Sequence, residues 1–162
     1  MTSQAANTPI SLVEELTSWF SLTLPSPNFI DTHHQFARLI EQHIDMLVSL
    51  QEAGVTTHAR DEIGFSIQVL DFLKRRFSAH PSGIEIGIEA LDRVSLLRAL
   101  CQQIVTAVGI AYALDMKIDG ALDELVRSNK SSLDDTGTPI FNLQRKLVPA
   151  SGYKSPDYSA YI

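Results

Sequence analysis

The chain has 162 residues, 44% of them hydrophobic and 20% charged, which suits one globular domain with a buried core. A formal net charge of −6, with Lys74-Arg75-Arg76 as the only basic cluster, argues against a nucleic-acid partner, because binding a duplex requires a cationic face. No uninterrupted apolar run approaches the roughly 18 residues of a membrane span, the start MTSQAANTPI lacks signal-peptide character, and the lone Cys101 can form no internal disulfide, so a cytoplasmic protein without a membrane partner is expected.

Residues 1–9 read as a disordered lead-in. Ser11 followed by Glu14 has the capping-box pattern, which predicts a first helix with Leu12, Leu16, Trp19 and Phe20 on one face. Pro25 and Pro27 end it and impose an extended stretch. Asp31 or Thr32 can cap a second helix to about Ala53, closed by Gly54; its apolar residues Phe36, Leu39, Ile40, Ile44, Leu47 and Val48 recur at helical spacing. A third helix is predicted from Asp61 to Phe77, with Ile63, Ile67, Leu70 and Leu73 in its stripe. The basic trio at its end complements the helix dipole.

His80-Pro81-Ser82-Gly83 breaks the chain, and a long helix follows from Glu85 or Ala90 to Leu114. From Leu96 to Ala113 it is apolar almost all round, which predicts a place in the middle of a bundle or dimer, with Cys101 as a buried thiol. Asp119 caps a fifth helix to about Asn129. Asp135-Thr136-Gly137 and Pro139 are turn signals, after which Ile140-Phe141 and Lys146-Leu147-Val148 predict a hairpin around Asn142-Leu143-Gln144. Pro149, Gly152 and Pro156 make the end an extended tail. The expected fold is one all-α domain, a bundle of about five helices with a short C-terminal β-hairpin and tail over 135–162.

Chemistry concentrates on the second helix. Glu41 and Asp45 are one turn apart, with Gln42 between, so two carboxylates share a side and can serve Mg²⁺ as oxygen ligands. A solvated polar face has the same spacing. Glu89 and Asp92 form a second acidic pair at the start of the long helix, where they also favour the helix dipole. His33, His34, His43, His58 and His80 show no metal-ligand spacing and read as surface or partly buried residues. Phosphate-loop, nucleophile-elbow and zinc signatures are absent.

The last third carries a more specific pattern. Gly109-Ile-Ala-Tyr-Ala-Leu-Asp-Met-Lys-Ile-Asp119 leads into Ala121-Leu-Asp-Glu-Leu-Val-Arg-Ser-Asn129, then Ser131, Leu133, Asp134, Gly137, Pro139-Ile140, Lys146, Tyr153 and Pro156-Asp157. Near the start, Trp19-Phe20 and a Pro-rich linker precede Arg38-Leu-Ile-Glu41. This order resembles the MazG-like and phosphoribosyl-ATP-pyrophosphohydrolase-like families of bacteria and phages. The likeness is loose per residue and spans the chain, interrupted by an extra helical segment at about 55–85.

The resemblance implies a helical homodimer or dimer of dimers that cleaves a nucleoside triphosphate to a monophosphate and pyrophosphate with Mg²⁺ or Mn²⁺. It makes Glu41, Gln42 and Asp45 the catalytic set, Glu41 and Asp45 metal ligands with Gln102 as a further candidate, and Arg98, Asn129, Lys130, Lys146 and Tyr153 nucleotide contacts. Gln42, Arg98 and Gln102 stand where the families carry acidic residues, and Ser132 replaces a lysine. Two carboxylates and an arginine cannot balance two or three divalent ions, so a relative that binds a nucleotide without turning it over is the alternative; an arginine fork suits phosphate directly. A purely structural helical dimer is a third reading.

Overall fold

The computed structural model describes residues 11–79, 92–143 and 146–162. The fold is all-α: among these residues are five helices, α1 (Leu12–Thr23), α2 (Phe29–Glu52), α3 (Thr57–Ser78), α4 (Arg93–Ala113) and α5 (Ile118–Ser131), and a two-stranded hairpin, β1 (Ile140–Phe141) and β2 (Leu147–Val148). They form two compact units, one from the described parts of Ser26–Asp92, the other from those of Met1–Pro25 with Arg93–Ile162. The proposed lead-in, the break at His80 to Gly83, Glu89, the start of the long helix and Gln144 lie outside the described residues.

The Ser26–Asp92 unit is the α2–α3 hairpin. Helix α2 begins earlier than its sequence suggests, because Asn28, extended after Pro27, accepts from the Ile30 and Asp31 N–H groups at 2.8 and 3.2 Å. Asp31 completes a capping box by accepting the Asn28 N–H at 2.9 Å; it is the reciprocal partner and not the cap itself. At the far end Gly54 takes φ 89°, the left-handed conformation that turns the chain. Thr56 then caps α3, which starts at Thr57, four residues ahead of the Asp61 expectation, since only a tight connection brings the helices side by side.

The hairpin closes antiparallel around aromatic rings. Phe36 stacks on Phe77 with centroids 5.9 Å apart, and His33 lies between Phe29 and Phe77 at 5.8 and 6.2 Å. His33 is fully buried, unlike the surface or partly buried histidine expected, and its Nδ1–H donates to the Phe29 carbonyl at 2.7 Å. That local bond satisfies one ring nitrogen without a distant partner. Near the turn, Gln51 donates to the Arg60 carbonyl at 3.1 Å.

In the other unit α1 packs on α5. The Ser11–Glu14 capping box forms as its sequence dictates, with Ser11 Oγ accepting at 3.2 Å and Glu14 accepting the Ser11 N–H at 2.7 Å. Lys130 of α5 reaches Glu15 of α1 at 2.6 Å. Val126 and Ser128 are the buried residues of α5. Its N-cap is Lys117, with no side-chain cap; Asp119 lies inside the first turn as a dipole partner. The hairpin pairs Ile140 with Val148 and Phe141 with Leu147, antiparallel as predicted.

Helix α4 departs from its expectation. Ala111 is its only buried residue; Val94, Leu97, Ile104 and Val105 are each more than 60% exposed, and Cys101 is exposed too. Its C-terminal end meets α5, where Met116 donates to the Ala111 carbonyl at 2.9 Å and Asp115 adopts φ 58°. Apolar composition drives burial only where a partner surface is supplied. Its 21 residues are also long and apolar enough, by length and composition, to cross a membrane; single polar residues interrupt the apolar run without lowering its average much.

Candidate functional site

Glu41 and Asp45 are exposed on α2, one turn apart, with Gln42 also exposed beside them. Glu41 follows His33 and Ala37 one turn at a time along the side of α2 that meets α3, and at 49% side-chain exposure it stands at the margin of that contact. From α3, Lys74 brings its ammonium to 3.5 Å from Glu41 Oε1 and 3.4 Å from Asp71 Oδ1. Arg75 holds the other Asp71 oxygen at 2.8 Å. The result is a shallow network of two acids and two bases across the helix pair. Asp45 stands at its edge, its backbone carbonyl accepting from Ser49 at 3.0 Å.

His43, between the acids in sequence, turns away: it is half-buried and its Nδ1–H donates to the Leu39 carbonyl at 2.7 Å. Among the described residues, no three His, Cys, Asp or Glu side chains are grouped so as to hold a metal ion. Lys74 was the missing signal. Read as one member of a helix-terminal basic trio, it is in fact a counter-charge for Glu41, and only the antiparallel register of the hairpin reveals that.

The remaining candidates belong to the other unit. Arg98 and Gln102 lie on α4, both exposed. Asn129 is half-buried near the end of α5, its carbonyl accepting from the Ser132 N–H and hydroxyl at 3.1 and 2.6 Å. Lys130 is committed to Glu15, so a phosphate would have to compete with a carboxylate. Lys146 is exposed beside β2; its backbone N–H donates to Asn142 Oδ1 at 2.9 Å, which shapes the hairpin and leaves the ammonium in solvent. Tyr153 is 43% exposed, and its backbone N–H donates to the Ala150 carbonyl at 3.0 Å.

A second charged centre was not anticipated. Glu124 and Arg127, three residues apart on α5, form a two-pronged pair with both N···O distances 2.6 Å. Glu124 also accepts the Asp157 N–H at 2.9 Å, and Arg127 donates to the Ser155 carbonyl at 3.3 Å. The Arg127 guanidinium, then the Asp157 N–H, hold the Glu124 carboxyl down at about 2. Buried Ser128 donates to the Lys154 carbonyl at 2.9 Å, and Ser131 Oγ accepts the Lys154 N–H at 2.9 Å. These side chains fasten the tail to α5; every one is spent on backbone, which makes the centre structural.

Asp134 ties the loop ahead of the hairpin. Its Oδ1 accepts from the Thr136 hydroxyl at 2.6 Å and the Thr136 and Thr138 N–H groups at 2.9 Å each, and these bonds, the hydroxyl foremost, lower its pKa. An apolar groove of about 210 Å³ lined by Ala111, Met116, Ile118, Ala121, Tyr158 and Tyr161 lies where α4 meets α5. Lys117 and Ile162 complete its lining. Comparison with protein families, with characterised proteins and with solved structures finds no match.

Proposed function

We propose that the chain is a MazG-like, nucleotide-pyrophosphohydrolase-like protein whose acidic helix α2 serves one divalent ion and the phosphates of a nucleoside triphosphate. The observation that carries this reading is the exposed Glu41–Asp45 pair with Lys74 beside it. Mg²⁺ keeps much of its water shell and is commonly held by one or two carboxylates together with substrate phosphates, so this donor set fits one ion. It does not fit two or three. Glu41 and Asp45 would be the ligands; the ion when bound would neutralise phosphate charge.

The chain's own residues have distinct tasks. Glu41 must release Lys74 to bind a cation, and Lys74 then keeps Asp71 as its partner at 3.4 Å while its ammonium is available to a phosphate oxygen. Gln42 can orient water or a phosphate oxygen by hydrogen bonding without adding charge.

The absence of a three-acid group among the described residues, together with the Lys74–Glu41 pairing, favours a second reading: a nucleotide binder with little or no turnover. Calorimetric titration of Mg²⁺ and Mn²⁺, with and without a non-hydrolysable triphosphate analogue, separates the two when combined with a pyrophosphate-release assay. The first reading expects Mg²⁺-dependent release that falls at least 100-fold in Glu41→Ala and Asp45→Ala. Analogue binding without release supports the second, and a wild-type chain that binds neither metal nor analogue refutes both.

A further inference from the structure

The Lys74 ammonium has two carboxylate partners, and they hold it for different reasons. It stands 3.4 Å from Asp71 Oδ1 of its own helix and 3.5 Å from Glu41 Oε1 of α2. With 28% of its side chain exposed, Lys74 is the best covered of the four charged groups in this network. Asp71 lies three residues before it on α3, and Arg75 fixes the other Asp71 oxygen at 2.8 Å, so this contact is set by one helix alone. Glu41 reaches across from the other helix, and among the described residues Lys74 is its one ion-pair partner. We propose that Lys74 is an exchangeable internal cation: a divalent ion displaces it from Glu41, a phosphate captures it, and Asp71 is the positioning residue that keeps it between the helices during the exchange. The proposal rests on the nucleotide reading above and adds to it how the two ligands are coupled.

Each ligand alone meets an occupied partner. Mg²⁺ must take Glu41 from the ammonium, and a triphosphate must take the ammonium from Glu41. The free energy of opening the pair is the same in both cases and is spent once when both bind. Metal and phosphate therefore raise each other's affinity by the same factor. An ion pair with a half-exposed carboxylate is worth little, which limits the coupling to about two- to fivefold. Removing the ammonium frees Glu41 for the metal; removing the Glu41 charge frees Lys74 for phosphate. Asp71 has the opposite character. Without its charge Lys74 turns wholly to Glu41, so an anion binds less well even though a negative charge has gone, where bulk electrostatics requires tighter binding.

The test titrates each ligand alone into the full chain by calorimetry: magnesium chloride in one arm, a non-hydrolysable triphosphate analogue in EDTA in the other. Helical circular dichroism of each variant ensures that folded chains are compared. Lys74→Met should tighten Mg²⁺ about two- to fivefold. Arg38→Gln, which removes an exposed cation three residues before Glu41 on α2, should tighten it less. Glu41→Gln should tighten the metal-free analogue by a similar factor, and Asp45→Asn should do so less, because Asp45 holds no ammonium among the described residues. Asp71→Asn should loosen the analogue. Three outcomes overturn the exchange and leave the nucleotide reading standing: equal changes in Lys74→Met and Arg38→Gln, equal changes in Glu41→Gln and Asp45→Asn, or a tighter analogue in Asp71→Asn. A chain that binds neither ligand, in the wild type and in every variant, overturns both.

Discussion

Helices α4 and α5 share a unit, and the less apolar one is the better buried. Helix α5 carries acids, bases and serines, yet Val126, Ser128 and the cap residue Ser132 are each less than 10% exposed. The far more apolar α4 buries Ala111 alone. Three neighbours make the difference: α5 has α1 on one side through Lys130–Glu15, the tail on another through Glu124, Arg127, Ser128 and Ser131, and the C-terminal turn at its start. Burial follows from what an element is given to pack against, while apolar content states only what would be gained.

The largest expected effect comes from placing one charge in each helix. Val126→Asp buries an unpaired carboxylate and should cost about 3 to 4 kcal/mol in denaturant unfolding. Val105→Asp, at a site 64% exposed, should change the stability of the chain by less than about 0.5 kcal/mol. Equal losses for the two substitutions would abolish the contrast between the helices.

Next is the fastening of the tail. Arg127→Ala removes both bonds to Glu124 and the bond to Ser155, so cleavage by trypsin after Lys154 should accelerate about tenfold. Unchanged cleavage would show that Ser128 and Ser131 hold the tail unaided.

The same latch has a pH dependence of defined sign. Glu124 titrates at about 2 in the folded chain against an ordinary 4.5, so its contribution is complete above the ordinary value and is lost as pH falls towards the depressed one. Near-ultraviolet circular dichroism from Tyr153, Tyr158 and Tyr161 should therefore change in that acid window, and in Arg127→Ala the change should move up towards 4.5. A transition insensitive to this substitution would assign the acid step to another carboxylate.

A modest effect is expected at Gly120, where an added Cβ would stand 2.6 Å from the Tyr161 ring. Gly120→Ala should displace the C-terminal 3-10 turn Ser159–Tyr161, which returns a carbonyl to the Lys117 N–H at 2.9 Å. Because a side chain at the chain end can swing aside, the loss should stay near 1 kcal/mol or less. A loss as large as that of Val126→Asp would mean that the turn is a fixed part of the α5 core.

The sequence alone determined what depends on near neighbours. Five helices, the Ser11–Glu14 capping box, the closing Gly54 and the short hairpin are local matters of periodicity, capping and turn chemistry, and all are present. So is the one-turn spacing of Glu41 and Asp45. Helix starts at Phe29 and Thr57 moved upstream because several residues could cap, and the backbone path after Pro27 and Gly54 chose among them. Tertiary structure alone decided the pairings over distance: Lys74 with Glu41, the ring stack on His33, and the tail on Glu124 and Arg127. It also decided that α4 is exposed in the single chain, since an apolar helix announces a need for cover and its own letters do not say which surface supplies it.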